Sequence, residues 1–323
     1  MNFNDWTRSV QARTEAALEA RLPSADIEPT RLHDAMRYTT LGGGKRVRPL
    51  LVHAAGLLTG ATPEALDAAG AAIEMIHVYS LVHDDMPAMD DDSMRRGKPT
   101  VHVQYDEATA LLVGDALQSQ AFVALSDAPL PAVRKAALLR ELAYASGAAG
   151  MAGGQAIDLA SVGVALDRVS LEKMHRMKTG ALLRAAVFMG ALCGSEAPES
   201  LDAATLAASV QQSQQQAGGA AIAEAVDART FATALERYAA AIGLAFQVVD
   251  DILDVTADSA TLGKTAGKDE AANKPTYVSL LGLDEARKLA KQLQADAHAA
   301  LVPFGDRAER LAQLADFVVE RAN

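Results

Sequence analysis

The sequence predicts an all-α protein, and three observations support this. Apolar residues recur at spacings of three and four through most of the chain, which is the period of a helix rather than a strand. Alternating β-branched runs bounded by turns, the mark of strands, are nearly absent. Half of the residues are hydrophobic but only 4% are aromatic, and long alanine- and leucine-rich stretches favour helices packed closely on helices.

Taken in order, the N-terminal "MNFNDWTRSVQARTEAALEARLP" mixes acids and bases and lacks the apolar core of a secretory signal. "LLVHAAGLLTG", "EALDAAGAAIEMIHVYSLVHDD", "AALLRELAYASGAAGMAGG" and "RYAAAIGLAFQVVDDILDV" carry the helical period. Glycine and proline mark breaks at "GGGKRVRP", "RRGKP", "SDAPLP", "CGSEAPES" and "NKP". Nothing divides the chain into two differently composed halves, so residues 1–323 are expected to form a single domain. Residues 207–230, "AASVQQSQQQAGGAAIAEAVDART" from Ala207 on, are rich in glutamine, alanine, serine and glycine. They are expected to form a mobile surface insertion, an ordered polar helix being the alternative.

The formal net charge is −11, which argues against nucleic acid or an anionic membrane as a partner held on a broad basic face. Cys193 is the only cysteine, so an intrachain disulfide and a cysteine-cluster metal site are both excluded. No stretch is expected to reach the roughly 20 apolar residues that span a bilayer. A soluble, cytoplasmic protein without stable membrane insertion is expected.

Against this background "HDDMPAMDDDSMRRGKP" (residues 83–99) stands out, with five aspartates in nine positions and two arginines close behind. A second acidic group, Asp250, Asp251 and Asp254, lies in the apolar stretch "FQVVDDILDV". On a helix Asp250 and Asp254 share a face, with Asp251 offset by about 100°. His77, Ser80 and Asp84 also share a face, whereas Asp90 would lie about 120° from Asp84 on an unbroken helix. Pro87 forbids an undisturbed helix there, so a helix end could bring Asp90 back. A solvated helix end or an ion-pair network would explain either cluster alone. Two such segments on apolar helices suggest facing walls of one cavity.

Carboxylates without histidine or cysteine nearby favour hard cations, Mg²⁺ above Zn²⁺. Mg²⁺ usually binds through one or two carboxylates together with substrate phosphates, so a metal-bridged diphosphate fits between such walls. "GGGKRVRP" places Lys45, Arg46 and Arg48 beside a glycine run that permits close backbone approach; taken alone, it reads equally well as an ordinary turn. Arg95 and Arg96 follow the first acidic cluster, and Lys178 and Thr179 sit in "HRMKTGALL". Gln155 and Asp158, in "GGQAID", suit a polar wall, but helix packing through the glycines explains that stretch about as well.

In these motifs the chain resembles the trans-isoprenyl diphosphate synthases, most closely the bacterial farnesyl diphosphate synthases. "GDAL", "MAGGQAIDL", "LGKTAGKDEAANKPTY" and "LLGL" fall in the family's order with the others, from about residue 30 onward apart from the 207–230 segment. The resemblance implies an isoprenoid synthase helical bundle around a deep central cavity, a homodimer, and Mg²⁺ held by Asp84, Asp85, Asp90, Asp250, Asp251 and Asp254. It implies that Arg95, Lys178, Lys264 and Lys274 approach the allylic diphosphate. Lys45, Arg48, His77 and Arg96 would bind isopentenyl diphosphate, with Lys178, Thr179 and Gln247 near the reacting carbons. Tyr79 and Ser80, just below the first aspartate motif, would limit product length.

The expected reaction is head-to-tail condensation of isopentenyl diphosphate with dimethylallyl and geranyl diphosphate, with farnesyl diphosphate as main product. Geranyl or geranylgeranyl diphosphate is the alternative product. A terpene cyclase of the same fold needs no isopentenyl site, and a non-catalytic regulatory subunit could lose its aspartates; both therefore rank lower. The C-terminal "FVVERAN" lacks the basic cluster with which some relatives end.

Overall fold

The computed structural model describes residues 1–164, 166–198, 201, 219–256 and 276–320, and these are predominantly helical. The first helices are α1 (Phe3–Arg21), α2 (Thr30–Thr40), α3 (Val47–Gly56) and α4 (Pro63–Asp84). A short hairpin pairs Met94–Arg95 with Lys98–Pro99. Next come α5 (Val101–Gln104), α6 (Glu107–Ser126), α7 (Ala132–Ser146), α8 (Met151–Ala160) and α9 (Arg168–His175). A single π-helical turn, Arg176–Gly180, leads into α10 (Ala181–Leu192). The chain continues in α11 (Gly219–Thr256), α12 (Tyr277–Leu281), α13 (Leu283–Leu301) and α14 (Glu309–Glu320).

The centre of the bundle is α4. Thr62 caps its N-terminus by accepting the Ala65 N–H, and Pro63 at the first position costs no hydrogen bond there. Ile73, Met75, Ile76 and Val78 are all buried because α3, α6 and α10 pack around the helix. Each such side chain contributes about 1.5–3 kcal/mol of hydrophobic stabilisation. Helix α11 packs mainly on α13 and also touches α10 and the π turn, so it places the second acidic motif against the same region.

Two expectations change here. Both α4 and α6 are long and apolar enough to cross a membrane by length and composition. For α4, burial of 78% of that window inside the protein accounts for its apolarity, since a helix surrounded by helices is hydrophobic all round. In α6 the figure is 44%, and Leu111, Leu112 and Val123 are exposed. Of the 207–230 segment, 207–218 lie outside the described residues, while 219–230 form the start of α11. Alanine-rich composition accounts for that helix.

Candidate active site

The site begins where α4 ends. Past Asp84 the chain folds back, and the Asp90 N–H donates to the Asp84 carbonyl at 2.8 Å, while the Asp92 N–H donates to Asp85 at 3.1 Å. Pro87 lies in this turn, so Asp90 returns to Asp84 despite the six-residue spacing. Burial pushes the Asp84 carboxyl up to about 6, neighbouring Asp90 and Asp85 add to the shift, and Lys178 and Arg95 oppose it. Asp85 is 3% exposed and accepts from Arg95 Nε at 2.8 Å and Nη2 at 2.5 Å. Burial raises its pKa, and Arg95 offsets that.

Beside this motif, "GGGKRVRP" forms a loop in which Gly42, Gly43 and Gly44 all have positive φ. Arg96 donates to the Gly43 carbonyl at 3.1 Å, which ties the hairpin to the loop. The three basic residues of the loop part company. Lys45 is exposed. Arg46 turns inward to Glu15 at 2.6 Å and Glu74 at 2.8 Å and is buried. Arg48 is buried on the wall of a cavity, where burial lowers its pKa to about 10. His77 lies on the same wall. Burial, then Arg48, Arg96, Arg95 and Arg46, hold it well below the usual imidazole range.

This cavity has a volume of about 350 Å³ and brings together Arg48, His77, Asp84, Gln155, Lys178 and Thr179. Lys178 and Thr179 belong to the π turn, a rare distortion that recurs at functional sites. Lys178 Nζ pairs with Asp158 at 2.5 Å. The Thr179 hydroxyl donates to Gln247 Oε1 at 3.2 Å, and Gln247 Nε2 donates to Asp251 at 2.9 Å. Asp251 also accepts the Tyr277 N–H at 2.7 Å. A continuous polar chain thus links the second acidic motif to the cavity. Asp250 lies close enough to Arg48 to raise its pKa, and Asp254 is buried.

Tyr79 and Ser80 line the same cavity. The Ser80 hydroxyl is turned back onto the His77 carbonyl at 2.8 Å. The Tyr79 hydroxyl accepts from Gln118 at 3.3 Å, and its ring stands edge-on to His83 at 5.8 Å. Gly114 of "GDAL" makes room for His83, since a Cβ there would lie 2.0 Å from its Nε2. Gln118 and Gly114 are contributors that the sequence reading left without a role, and Asp158, which suited a polar wall and helix packing about equally, pairs with Lys178. Lys264 and Lys274 lie outside the described residues. A second cavity of about 430 Å³, lined by Arg140, Glu141, Tyr144 and Arg184, carries none of the expected site residues.

The donor set fits a hard divalent ion. The backbone turn returns Asp90 to the end of α4 at Asp84, and carboxylate oxygens are the ligands that such an ion takes. Among the described residues no three acidic, histidine or cysteine side chains converge as a closed ligand set. Mg²⁺ characteristically takes one or two carboxylates and completes its shell with water and phosphate oxygens.

In an all-α protein, one cavity thus joins the Asp84 carboxylate, the cations Arg48 and Lys178, and apolar side chains such as Met151 and Leu159. The polyprenyl synthetase family profile matches residues 29–210 and 203–301. A probable farnesyl diphosphate synthase of Sinorhizobium fredii is 52% identical over 311 residues, covering 96% of this chain and 85% of that protein. The farnesyl diphosphate synthase of Escherichia coli is 43% identical over 327 aligned positions, covering 99% of each. The solved geranyltransferase of Helicobacter pylori, complexed with magnesium and isoprenyl diphosphate, superposes with a TM-score of 0.79 at 29% identity, covering 99% of this chain and 97% of that one. The chain belongs to the polyprenyl synthetase family.

Proposed function

We propose that the protein condenses isopentenyl diphosphate head to tail with dimethylallyl and then geranyl diphosphate, giving farnesyl diphosphate as the main product. The observation that carries this reading is the meeting of Arg48, His77, Asp84, Lys178 and Thr179 in one cavity above Tyr79. Identities of 52% and 43% to farnesyl diphosphate synthases support it.

Of the six aspartates expected to hold Mg²⁺, we assign Asp84, Asp90, Asp250 and Asp254 to the metal and revise Asp85 and Asp251 to a supporting part, because Arg95 holds the first and Gln247 and Tyr277 hold the second. When bound, Mg²⁺ neutralises the diphosphate and stabilises the charge it gains on leaving. Arg95, Lys178, Lys264 and Lys274 supply direct cationic contacts to the allylic diphosphate. Lys45, Arg48 and Arg96 clamp isopentenyl diphosphate, and His77 adds a hydrogen bond.

The C1–O bond of the allylic substrate breaks with its electron pair leaving on the diphosphate oxygen. The double bond of isopentenyl diphosphate supplies the electrons of the new carbon–carbon bond, and a C2 proton is lost to the released pyrophosphate. The Lys178 carbonyl, Thr179 hydroxyl and Gln247 amide aim their dipoles at the intervening cation, and the apolar wall excludes water.

A homodimer goes with this reading, the exposed Leu111, Leu112 and Val123 of α6 being an apolar face for a second copy, as does a cytoplasmic location. Purified protein with Mg²⁺ and both substrates should form a fifteen-carbon product, read by chromatography after dephosphorylation. Failure to condense them overturns the reading, and pyrophosphate release from the allylic substrate alone would point to a cyclase.

A further inference from the structure

The motif "GGQAID" contains one side chain that the reaction above leaves unused. Gly154 brings α8 directly onto the π turn, where a Cβ would lie 2.1 Å from the Lys178 nitrogen. One turn on, Asp158 pairs with Lys178 at 2.5 Å. These two contacts fix α8 and leave Gln155 lining the cavity beside Asp84, Lys178 and Thr179. Both polar atoms of the Gln155 amide, Oε1 and Nε2, are buried, and neither hydrogen-bonds to another described residue.

Buried amides are nearly always satisfied, because leaving one unpaired forfeits its hydrogen bonds to water. Helix packing accounts for the glycines and for Asp158, but it gives no reason for an amide at 155. A leucine or methionine would fill that space without an unpaired polar group.

We propose that Gln155 is a further catalytic residue, its amide oxygen facing the allylic cation that forms as the diphosphate departs. This rests on the prenyl-transfer reading. The other residues that α8 gives to this cavity, Met151, Ala152, Ala156 and Leu159, are apolar, so the hydrocarbon part of the substrate lies against it. An uncharged prenyl chain offers the amide nothing. Once positive charge develops, the same dipole is attracted to it, and an apolar surrounding weakens that attraction little. An interaction made only in the transition state raises turnover rather than affinity. An amide also suits the position chemically, since unlike a carboxylate it carries no charge to capture the cation.

The test is Gln155→Leu, which keeps the volume and removes the dipole, with Gln155→Met as a second variant of different shape. With geranyl and isopentenyl diphosphates, kcat should fall about ten- to a hundredfold while both KM values stay within about twofold. Calorimetry with an ammonium analogue of geranyl diphosphate, nitrogen replacing C3, should show a similar loss of affinity. Affinity for the non-ionising geranyl thiolodiphosphate should not change. Wild-type turnover in both variants, or equal loss of affinity for the two analogues, overturns the assignment while leaving the prenyl-transfer reading intact. A wild-type protein that fails to condense its substrates overturns both.

Discussion

The two aspartate motifs put carboxylates on one side of the backbone by different routes. In the second, Asp250 and Asp254 stand four residues apart on the continuous helix α11 and share a face. In the first, the chain leaves α4 at Asp84, and a backbone hydrogen bond of 2.8 Å returns Asp90 to it. The middle residues differ too. Asp85 holds Arg95, a cation from its own loop, whereas Asp251 holds Gln247 and the backbone of Tyr277. One anchor therefore holds a cation of the hairpin, and the other ties helix α11 to α12.

The largest expected effect tests whether the two walls are equivalent. Asp84→Ala and Asp250→Ala should each lower turnover by at least about a hundredfold, the scale of losing one preorganised electrostatic group, and EDTA should abolish it. Near-normal turnover in only one variant would show that one wall carries the metal without the other.

Product length should respond to the first motif alone, because Tyr79 lies one turn below it on α4 and is fixed by Gln118 and His83. Overfilling a packed site costs about 1–3 kcal/mol, which disfavours another five-carbon unit roughly ten- to a hundredfold. Tyr79→Ala should therefore shift the product towards twenty carbons or more. An unchanged fifteen-carbon product on chromatography would remove Tyr79 as the floor.

The middle aspartates should separate in kind. Asp85→Asn loosens Arg95 and should raise KM for the allylic substrate about tenfold with little effect on isopentenyl diphosphate. Asp251→Asn should instead lower stability by about 1–3 kcal/mol, since a buried carboxylate accepting two hydrogen bonds is weakened. Chemical denaturation and initial-rate kinetics on both variants decide this. An allylic KM effect from Asp251→Asn alone would reverse the roles.

Helical periodicity made the bundle legible, and spacing made the face shared by Asp250 and Asp254 legible. Spacing misplaced Asp90 by about 120°, and only Pro87 hinted at the turn that corrects it. By residue type and local pattern Arg46 and Arg48 are alike, and only the family resemblance singled out Arg48. The difference between them comes from Glu15, 31 residues away on α1, and local pattern cannot register such a contact. The same holds for Gln118 and Gly114, which reach Tyr79 and His83 across the packing of α4 on α6. In "GGQAID" packing and polar readings tied, because both predict glycines; the buried amide of Gln155 separates them.

The smallest effect concerns stability rather than rate. Asp84 has a folded-state pKa of about 6 against an ordinary 3.8, with burial the main cause and Asp90 and Asp85 adding to it. Ionising it therefore disfavours the metal-free folded state. Its contribution to stability is fully present below about pH 3.8 and is lost as pH rises through about 6. In EDTA at pH 7.5, Asp84→Asn should melt above the wild type, and a rise of about 2–4 °C would correspond to roughly 1 kcal/mol. At pH 4 the two should melt together, because the wild-type carboxyl is then protonated. Added Mg²⁺ should raise the wild-type midpoint more than that of the variant, since it offsets a charge the variant lacks. A variant that melts below wild type at pH 7.5 in EDTA would show that ionised Asp84 is already compensated by the protein's own cations, Lys178 and Arg95 first among them.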